Sequence, residues 1–170
     1  MPGSRRASDL TGPLVLDASV AVEYLVGLRF TAQAQLLIRG VLDHDIELWA
    51  PDLLYPESAS AIRKLLRLRA IGPAEADRAV SDLLRLPITG AATKNLLSRV
   101  WALRDALTPY DACYVALADM LGAPLVTADQ RLAASPRARR IDAVLLEDLI
   151  DWGPRRNLWV TGGIERRVGR

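Results

Sequence analysis

Four carboxylates in this sequence occupy positions where a folded chain could use them for chemistry. Asp17 directly follows the apolar run LVL, and Asp129 follows shortly after the run PLVT, so each lies where a predicted strand ends. Asp111, in TPYD, and Glu57, in LYPE, each lie in the first turn of a predicted helix. Open α/β sheets place their ligands at the carboxyl ends of the strands, so neighbouring strands would bring Asp17 and Asp129 to one edge. Carboxylates this close repel one another unless a cation lies between them.

Each carboxylate also has a simpler explanation. An acidic residue in the first turn of a helix interacts favourably with the helix dipole, by about 0.3–1 kcal/mol. Thr108 with Asp111 resembles a capping box, and Asp17 or Asp129 could cap the segment that follows it. These explanations stay open for each residue taken singly. The joint placement of four carboxylates favours a site for a divalent cation.

The residue types narrow the choice of cation and of reaction. A set of oxygen ligands suits Mg²⁺ or Mn²⁺, whereas Zn²⁺ prefers the His and Cys side chains, of which this chain has one each. Magnesium sites commonly include phosphate oxygens of the substrate, so the predicted substrate is a phosphate ester or diester. The predicted nucleophile is a metal-activated water, and two ions about 3.5–4 Å apart could hold the attacking and leaving oxygens. The sequence contains no G-x-S-x-G elbow, Walker loop or G-x-G-x-x-G motif, so these motifs do not indicate a serine hydrolase, a P-loop nucleotide-binding site or a dinucleotide-binding site.

The hydrophobic pattern predicts alternating strands and helices. The predicted strands span 14–16, 46–51, 86–89, 124–127 and 143–146. The predicted helices span 20–27, 31–42, 53–69, 73–86, 93–105 and 109–121, and the last is apolar almost all round, as in a buried helix. Strands that alternate with helices imply an α/β fold whose parallel sheet is covered on both faces.

Length, composition and charge set the wider limits. A chain of 170 residues fits one compact domain. A single cysteine excludes an intramolecular disulfide, and no stretch approaches the roughly 20 apolar residues of a membrane span, so we expect a cytoplasmic protein. Residues 131–170 hold nine arginines against five acidic residues, which is compatible with nucleic acid or an acidic partner, or with a solvated tail.

Three segments carry a family resemblance. The segments LVLDASVAVEYL, APDLLYPESASAIRKL and LTPYDACYVALADMLGAPLVTADQRL resemble the PIN-domain ribonucleases, and among them the VapC-type toxins of bacterial toxin–antitoxin pairs. The resemblance runs from about Leu14 to Leu149. It implies a three-layer α/β/α sandwich with a central, mainly parallel sheet of four or five strands. It also implies an Mg²⁺- or Mn²⁺-dependent endoribonuclease that cleaves tRNA, rRNA or mRNA, forms a homodimer and is inhibited by a cognate antitoxin.

The resemblance assigns roles to individual residues. It makes a metal-binding catalytic quartet of Asp17, Glu57, Asp111 and Asp129. Ser19 and Thr127 become hydrogen-bonding neighbours of this quartet. We predict that Asp17, Glu57 and Asp111 hold the first metal and that Asp129 completes a second or looser site. Arg131 could meet the incoming phosphate or could pair with an acidic neighbour.

The chain departs from the family pattern at both ends. A polar leader over 1–13, expected to be disordered, precedes the PIN-like domain over 14–150, and a basic extension follows over 151–170. In the extension, Arg155 and Arg156 lie between Trp152 and Trp159, a pattern that suits RNA binding but also a tail pinned to the domain. Two other functions stay open: a non-catalytic phosphate- or protein-binding module, and a small phosphoester hydrolase. The second is disfavoured because Ser19 stands where aspartyl phosphatases have a second Asp.

Overall fold

A parallel five-stranded sheet forms the centre of the molecule in the computed structural model, which describes residues 5–43, 45–135 and 138–150. Its strands are β2 Gly12–Leu16, β3 Ile46–Pro51, β4 Ile88–Ala91, β5 Leu125–Thr127 and β6 Ala143–Leu145. Their order in the sheet is β4-β3-β2-β5-β6, and every neighbouring pair is parallel. The predicted parallel sheet is therefore confirmed.

Seven α-helices connect and cover the strands of the described residues. They are α1 Ala18–Val26, α2 Thr31–Leu42, α3 Leu54–Arg67, α4 Pro73–Leu83, α5 Thr93–Ala102, α6 Pro109–Leu121 and α7 Gln130–Ala134. None of the helices in this part of the chain combines the length and the apolar character needed to cross a bilayer.

Two separate cores lie on the two faces of the sheet. On one face, Leu14, Leu16 and Leu48 pack with buried residues of α1 and α2. On the other face, Val15 and Leu125 pack with α5 and with seven consecutive buried residues of α6, Ala112 to Ala118. Side chains alternate between the faces of a strand, so Val15 and its neighbours in β2 serve different cores. This arrangement confirms the three-layer α/β/α sandwich.

The helices α3 and α4 form a hairpin beside the sheet. Ile62 of α3 and Ala76 and Ala79 of α4 pack with Ile71 and with the end of α1 in a small third core. This core buries part of the apolar surface of the two helices. The start of α3, where Glu57 lies, is held by Leu54, which is buried in the first core.

The leader is more ordered than its polar composition suggests. Arg5–Arg6 form a short strand, β1, that pairs in parallel with β7 at Leu149–Ile150. Ala7 and Leu10 are buried, and Arg5 forms an ion pair of 2.7 Å with Asp142. The expectation of a disordered leader is thus wrong for residues 5–13, because two apolar residues among polar ones suffice to anchor the segment. The predicted extension over 151–170 lies outside the described residues.

Candidate functional site

Asp17 lies at the point where the winding of the sheet reverses. From β2 the chain moves to β3 on one side, and it later returns to place β5 on the other side of β2. Ligands of open α/β sheets bind at such a switch point, beyond the carboxyl ends of the strands. The amide of Asp17 donates to the carbonyl of Val126 at 3.0 Å, which aligns the ends of β2 and β5. The strands that precede Asp17 and Asp129, β2 and β5, are therefore neighbours, which is the condition for both residues to lie at one edge.

Two hydroxyl groups hold the side chain of Asp17. Ser19 Oγ donates to Asp17 Oδ2 at 2.5 Å, and Thr127 Oγ1 donates to the same oxygen at 2.7 Å. The same hydroxyls accept from the backbone amides of Ala128 and Asp129, at 2.9 and 3.0 Å. Each hydroxyl has one hydrogen to donate, so the two amides direct both hydrogens toward the carboxylate. Ser19 and Thr127 are therefore the hydrogen-bonding neighbours that the resemblance implies.

Asp17 is not a helix cap. It occupies the N-cap position of α1, but its side chain makes no capping hydrogen bond and is only 8% exposed. Buried carboxylates are rare unless they are paired. The capping explanation is therefore wrong for Asp17.

Glu57 has a partner that the sequence did not reveal. The hydroxyl of Tyr114 donates to Glu57 Oε2 at 2.5 Å. Tyr114 is 1% exposed, and burial, followed by the charges of Asp17 and Glu57, raises its pKa far above the ordinary value, so the hydroxyl stays a neutral donor. A signal was present: Tyr114 comes three residues after Asp111 on α6, hence on the same face of the helix, and a buried tyrosine needs a partner for its hydroxyl.

Asp17, Glu57 and Asp111 interact electrostatically. Burial raises the pKa of Asp17 above 3.8, hydrogen bonds from Ser19 and Thr127 oppose this, and the Asp111 charge adds to it. Burial also raises the pKa of Glu57 above 4.5, and the charges of Asp17 and Asp111 raise it further. No ion pair among the described residues involves these three carboxyls. Among the described residues no cationic side chain pairs with these three interacting carboxyls, which are called the acidic site below.

Asp111 opens this site to solvent. Thr108 caps α6 by accepting from the amide of Asp111 at 3.2 Å, and Pro109 occupies the first turn. The backbone of Asp111 thus serves the cap, whereas its carboxylate lines an open cleft of about 480 Å³ that Asp129 and Arg131 also line. Of the three carboxylates of the acidic site, only Asp111 belongs to the lining of this cleft.

Asp129 differs from the other three. Its Oδ1 accepts from the amides of Arg131 and Leu132, at 2.7 and 3.3 Å, and its Oδ2 lies 3.3 Å from the Arg131 guanidinium. Burial alone would raise the pKa of Asp129, but these hydrogen bonds and the Arg131 charge lower it. For Asp129 the capping explanation is correct, and Arg131 pairs with this acidic neighbour.

The expected convergence of all four carboxylates within a few ångströms is not observed. Across the described ranges, no three acidic, histidine or cysteine side chains lie close enough to form a ready-made metal site. The physical reason is that local donors are available: Asp129 accepts from the amides of Arg131 and Leu132, and Glu57 accepts from the hydroxyl of Tyr114. The donor set still fits Mg²⁺ or Mn²⁺, because it consists of oxygens only and such ions need just one or two direct carboxylates plus water.

The raised pKa of Asp17 predicts a distinctive pH dependence of stability. A carboxyl with a raised pKa in the folded state contributes stability at low pH and loses it as pH rises through that pKa. Without divalent metal, we expect Asp17→Asn to be more stable than the wild type at neutral pH. The advantage should disappear as pH falls through the raised pKa toward 3.8. Urea unfolding at a series of pH values in EDTA measures this difference.

Asp129→Asn is the control, because this substitution should change the stability at neutral pH in the opposite direction. The pKa of Asp129 is lowered, so its charge stabilises the fold above 3.8 and that contribution is lost as pH falls through the lowered value. The wild type should exceed this variant in stability at neutral pH. If both variants followed the same trend with pH, the assigned environments of Asp17 and Asp129 would be wrong.

Removing the Tyr114 hydroxyl should destabilise the fold. A hydrogen bond to a charged group is worth about 1.5–3 kcal/mol, and partial access of water to Glu57 reduces the loss. We expect Tyr114→Phe to lower the free energy of unfolding by about 1–2 kcal/mol, measured by urea unfolding in EDTA. Tyr110→Phe removes an exposed hydroxyl from the same helix and should change it by less than about 0.5 kcal/mol. Equal effects would show that the Tyr114 hydroxyl contributes nothing specific.

The predicted basic residues are only partly within the described chain. Arg131 lies at the cleft, paired with Asp129. Arg155 and Arg156 lie outside the described residues, so their predicted contact with RNA stays a prediction.

Comparison with known proteins assigns the chain to a family. The model of the PIN domain matches residues 14–137. The chain is 37% identical over 126 residues to VapC ribonuclease Mb0985 of Mycobacterium bovis, an alignment that covers 74% of this chain and 93% of that protein. The chain therefore belongs to the PIN-domain family and, within it, to the VapC ribonucleases.

Solved structures show the same fold. PAE2754 from Pyrobaculum aerophilum matches with a TM-score of 0.58 at 24% identity, over 79% of this chain and 91% of that one. VapBC2 from Rickettsia felis, solved bound to a DNA fragment from the promoter, matches with a TM-score of 0.54 at 12% identity, over 82% of this chain and 98% of that one. The three-layer sandwich described above is thus the fold of these proteins.

Proposed function

We propose that the protein is a Mg²⁺- or Mn²⁺-dependent endoribonuclease, the toxin of a VapBC-type toxin–antitoxin system. The observation that carries the proposal is the buried, hydroxyl-anchored carboxylate of Asp17 beside Glu57 and Asp111, with no balancing cation from the described protein. The 37% identity to a VapC ribonuclease supports RNA as the substrate. Ser19 donates to Asp17 instead of serving as a second acid, which disfavours an aspartyl-phosphatase mechanism.

Each residue of the site has a distinct task in this proposal. Asp17, Glu57 and Asp111 would hold the first ion, with Asp129 completing a second or looser site. A bound divalent ion would lower the pKa of its water and neutralise charge on the scissile phosphate. Ser19 and Thr127 keep Asp17 Oδ2 turned inward, which fixes the orientation of the carboxylate. Tyr114 does the same for Glu57, and its own high pKa prevents it from competing as a proton source.

The proposed path of the substrate to the acidic site is the cleft. The cleft of about 480 Å³ leads past Asp111 and Asp129, with Arg131 at its edge. On phosphate binding, Arg131 can exchange its exposed partner Asp129 for the substrate, because an exposed ion pair contributes only about 0–1 kcal/mol. Asp129 then becomes available to the looser metal site.

Sequencing of RNA 5′ ends tests the proposal. We expect induction of the wild-type protein to create new internal 5′ ends at defined positions in cellular RNA and to arrest growth. Asp111→Asn should create none, whereas Asp119→Asn, an exposed acid near the other end of α6, should behave as the wild type. Identical 5′ ends after inducing the wild type and Asp111→Asn would contradict a nuclease activity at this site.

We also propose a cognate antitoxin as the protein partner and a homodimer as the assembly. VapBC2 of Rickettsia felis is a structural neighbour whose name describes a toxin–antitoxin pair. In this chain, Leu68 after α3 and Val80 and Leu84 in and after α4 stay exposed although the hairpin has its own core. Exposed apolar side chains of this kind mark interaction surfaces.

Charges on the hairpin should disrupt the toxin–antitoxin complex. We expect Leu68→Glu with Leu84→Glu to weaken binding of the proposed cognate antitoxin by about tenfold or more, because each introduced charge must be desolvated. Calorimetric titration with purified antitoxin measures the affinity. The same substitutions at Leu42 and Leu97, also exposed but on α2 and α5, provide the control. Unchanged affinity in the hairpin variant would place the antitoxin elsewhere.

A further inference from the structure

An exposed tryptophan ends helix α5 near the cleft. Trp101 is 68% exposed, whereas Leu96 and Val100 of the same helix are buried against α6. The core therefore does not require the indole ring. Tryptophan carries a large apolar surface whose exposure is unfavourable, and such side chains are enriched where a protein binds a partner.

Arg104 connects this tryptophan to the cleft. Its guanidinium lies 5.3 Å from the centre of the Trp101 ring, and its Nη1 donates to the Trp101 carbonyl at 2.9 Å. Its contact with the largely exposed Asp105, at 3.6 Å, is longer than a hydrogen bond. Arg104 also lines the cleft together with Asp111, Asp129 and Arg131. The cation and the indole thus form one unit, and its arginine belongs to the lining of the cleft.

The loop between α5 and α6 holds this unit in place. The amides of Ala106 and Leu107 both donate to the carbonyl of Leu103, at 2.9 and 3.1 Å. Leu103 and Leu107 pack against the core under α6, and Thr108 then caps the helix that carries Asp111. The indole and the guanidinium are therefore positioned relative to Asp111 before any ligand binds, which lowers the entropic cost of binding.

We propose that Trp101 and Arg104 form a binding site for single-stranded RNA beside the cleft, with a base stacked on the indole and a phosphate bound by the guanidinium. The inference rests on the proposed function and adds to it the part of the substrate outside the acidic site. Arg104 covers one face of the indole, so the large exposed area leaves the other face for a base. Exposed aromatics combined with arginine are the means by which proteins bind single strands without reading the sequence.

RNA binding in the non-cleaving Asp17→Asn background tests the inference. Anisotropy of a fluorescein-labelled, mixed-sequence single-stranded RNA in Mg²⁺ gives the affinity. We expect Trp101→Ala to weaken binding about tenfold and Trp101→Phe to restore most of it, because stacking needs an aromatic face. Leu97→Ala removes an exposed apolar side chain one turn earlier on α5 and should leave the affinity unchanged.

The salt dependence of RNA binding distinguishes the phosphate contact of Arg104 from base stacking on Trp101. Arg104→Ala should reduce the slope of log affinity against log salt by about one, because one phosphate contact is lost. Arg85→Ala, which removes an exposed arginine paired with Asp82, should leave the slope unchanged. A slope that stays the same in Arg104→Ala would contradict phosphate binding by this residue.

The first two of the following outcomes would contradict the RNA-binding site, and the third would contradict the nuclease proposal alone. If the wild type cleaves RNA but Trp101→Ala and Leu97→Ala bind it equally well, the site is not here and the proposed function is unaffected. If Trp101→Ala changes the sedimentation coefficient and leaves RNA affinity unchanged, the indole contacts a second copy of the chain. If Trp101 governs RNA binding but the wild type never cleaves RNA, the binding site stands and the nuclease proposal fails.

Discussion

The Asp17→Asn variant should cleave RNA at least about 10³-fold more slowly than the wild type and still fold. Asp17 is the central carboxylate of the acidic site, and loss of one ligand removes several kcal/mol of stabilisation that a bound ion supplies to the transition state. The asparagine amide oxygen can still accept from Ser19 and Thr127, so the ends of β2 and β5 stay joined. Initial rates on a labelled single-stranded RNA in Mg²⁺, with far-UV circular dichroism of both proteins, measure the two effects.

Two variants make this comparison specific. Asp119→Asn removes an exposed carboxylate of α6 that pairs with Arg99 and should keep the wild-type rate. Asp17→Glu retains the charge but moves the carboxylate by one methylene, so its rate should also fall, because orientation by the two hydroxyls is lost. A wild-type rate in Asp17→Asn would show that the chemistry takes place elsewhere.

Divalent metal should stabilise the folded protein strongly. At a hundredfold excess over its Kd, an ion that binds only the folded state adds about 2.7 kcal/mol of stability. For a domain of this size the gain corresponds to a rise in Tm of about 5–10 °C. The effect should be large here because the ion also offsets the burial of Asp17 and Glu57 and, to a smaller extent, the repulsion among these two and Asp111, which together raise the pKa values of Asp17 and Glu57. Thermal unfolding during Mg²⁺ or Mn²⁺ titration, reversed with EDTA, measures the gain.

The stabilisation by divalent metal should differ between the Asp17 and Asp129 variants. Asp17→Asn should abolish most of the stabilisation, whereas Asp129→Asn should retain the larger part of it, because Asp129 is occupied by its helix amides and Arg131. NaCl at matched ionic strength should have little effect, since screening alone supplies no ligand. Equal stabilisation of the wild type and Asp17→Asn by Mn²⁺ would mean that the ion binds outside the acidic site.

The sequence predicted the elements whose hydrophobic pattern is clear and the residues that directly follow the predicted strands. The buried pattern of α6 and the apolar runs of β2 and β5 follow from burial on both faces of a parallel sheet. Parallel strands bring their carboxyl ends to one edge, so the sequence places Asp17 and Asp129 at the same edge of the sheet without giving the strand order. These inferences need only periodicity and connection rules.

Side-chain partners could not be derived in the same way. The hydrogen bond from Tyr114 to Glu57 joins residues 57 positions apart, and the capping of α7 by Asp129 depends on a five-residue helix too short to show a period. The ordered leader depends on Arg5–Arg6 pairing with β7, a contact between the two ends of the described chain. Such contacts depend on how distant segments pack against one another, and the hydrophobic pattern of the sequence does not show this packing.

The central claim is that Asp17, Glu57 and Asp111 jointly bind a divalent ion at the switch point of the sheet. A crystal structure with Mn²⁺, with anomalous scattering data to locate the ion, tests it most directly. We predict an anomalous peak about 2–2.5 Å from oxygens of these three carboxylates, with Asp129 at a greater distance or on a second, weaker peak. A peak coordinated by Asp129 with Glu57 turned away, or no peak at these carboxylates while Mn²⁺ is bound elsewhere, would contradict the account.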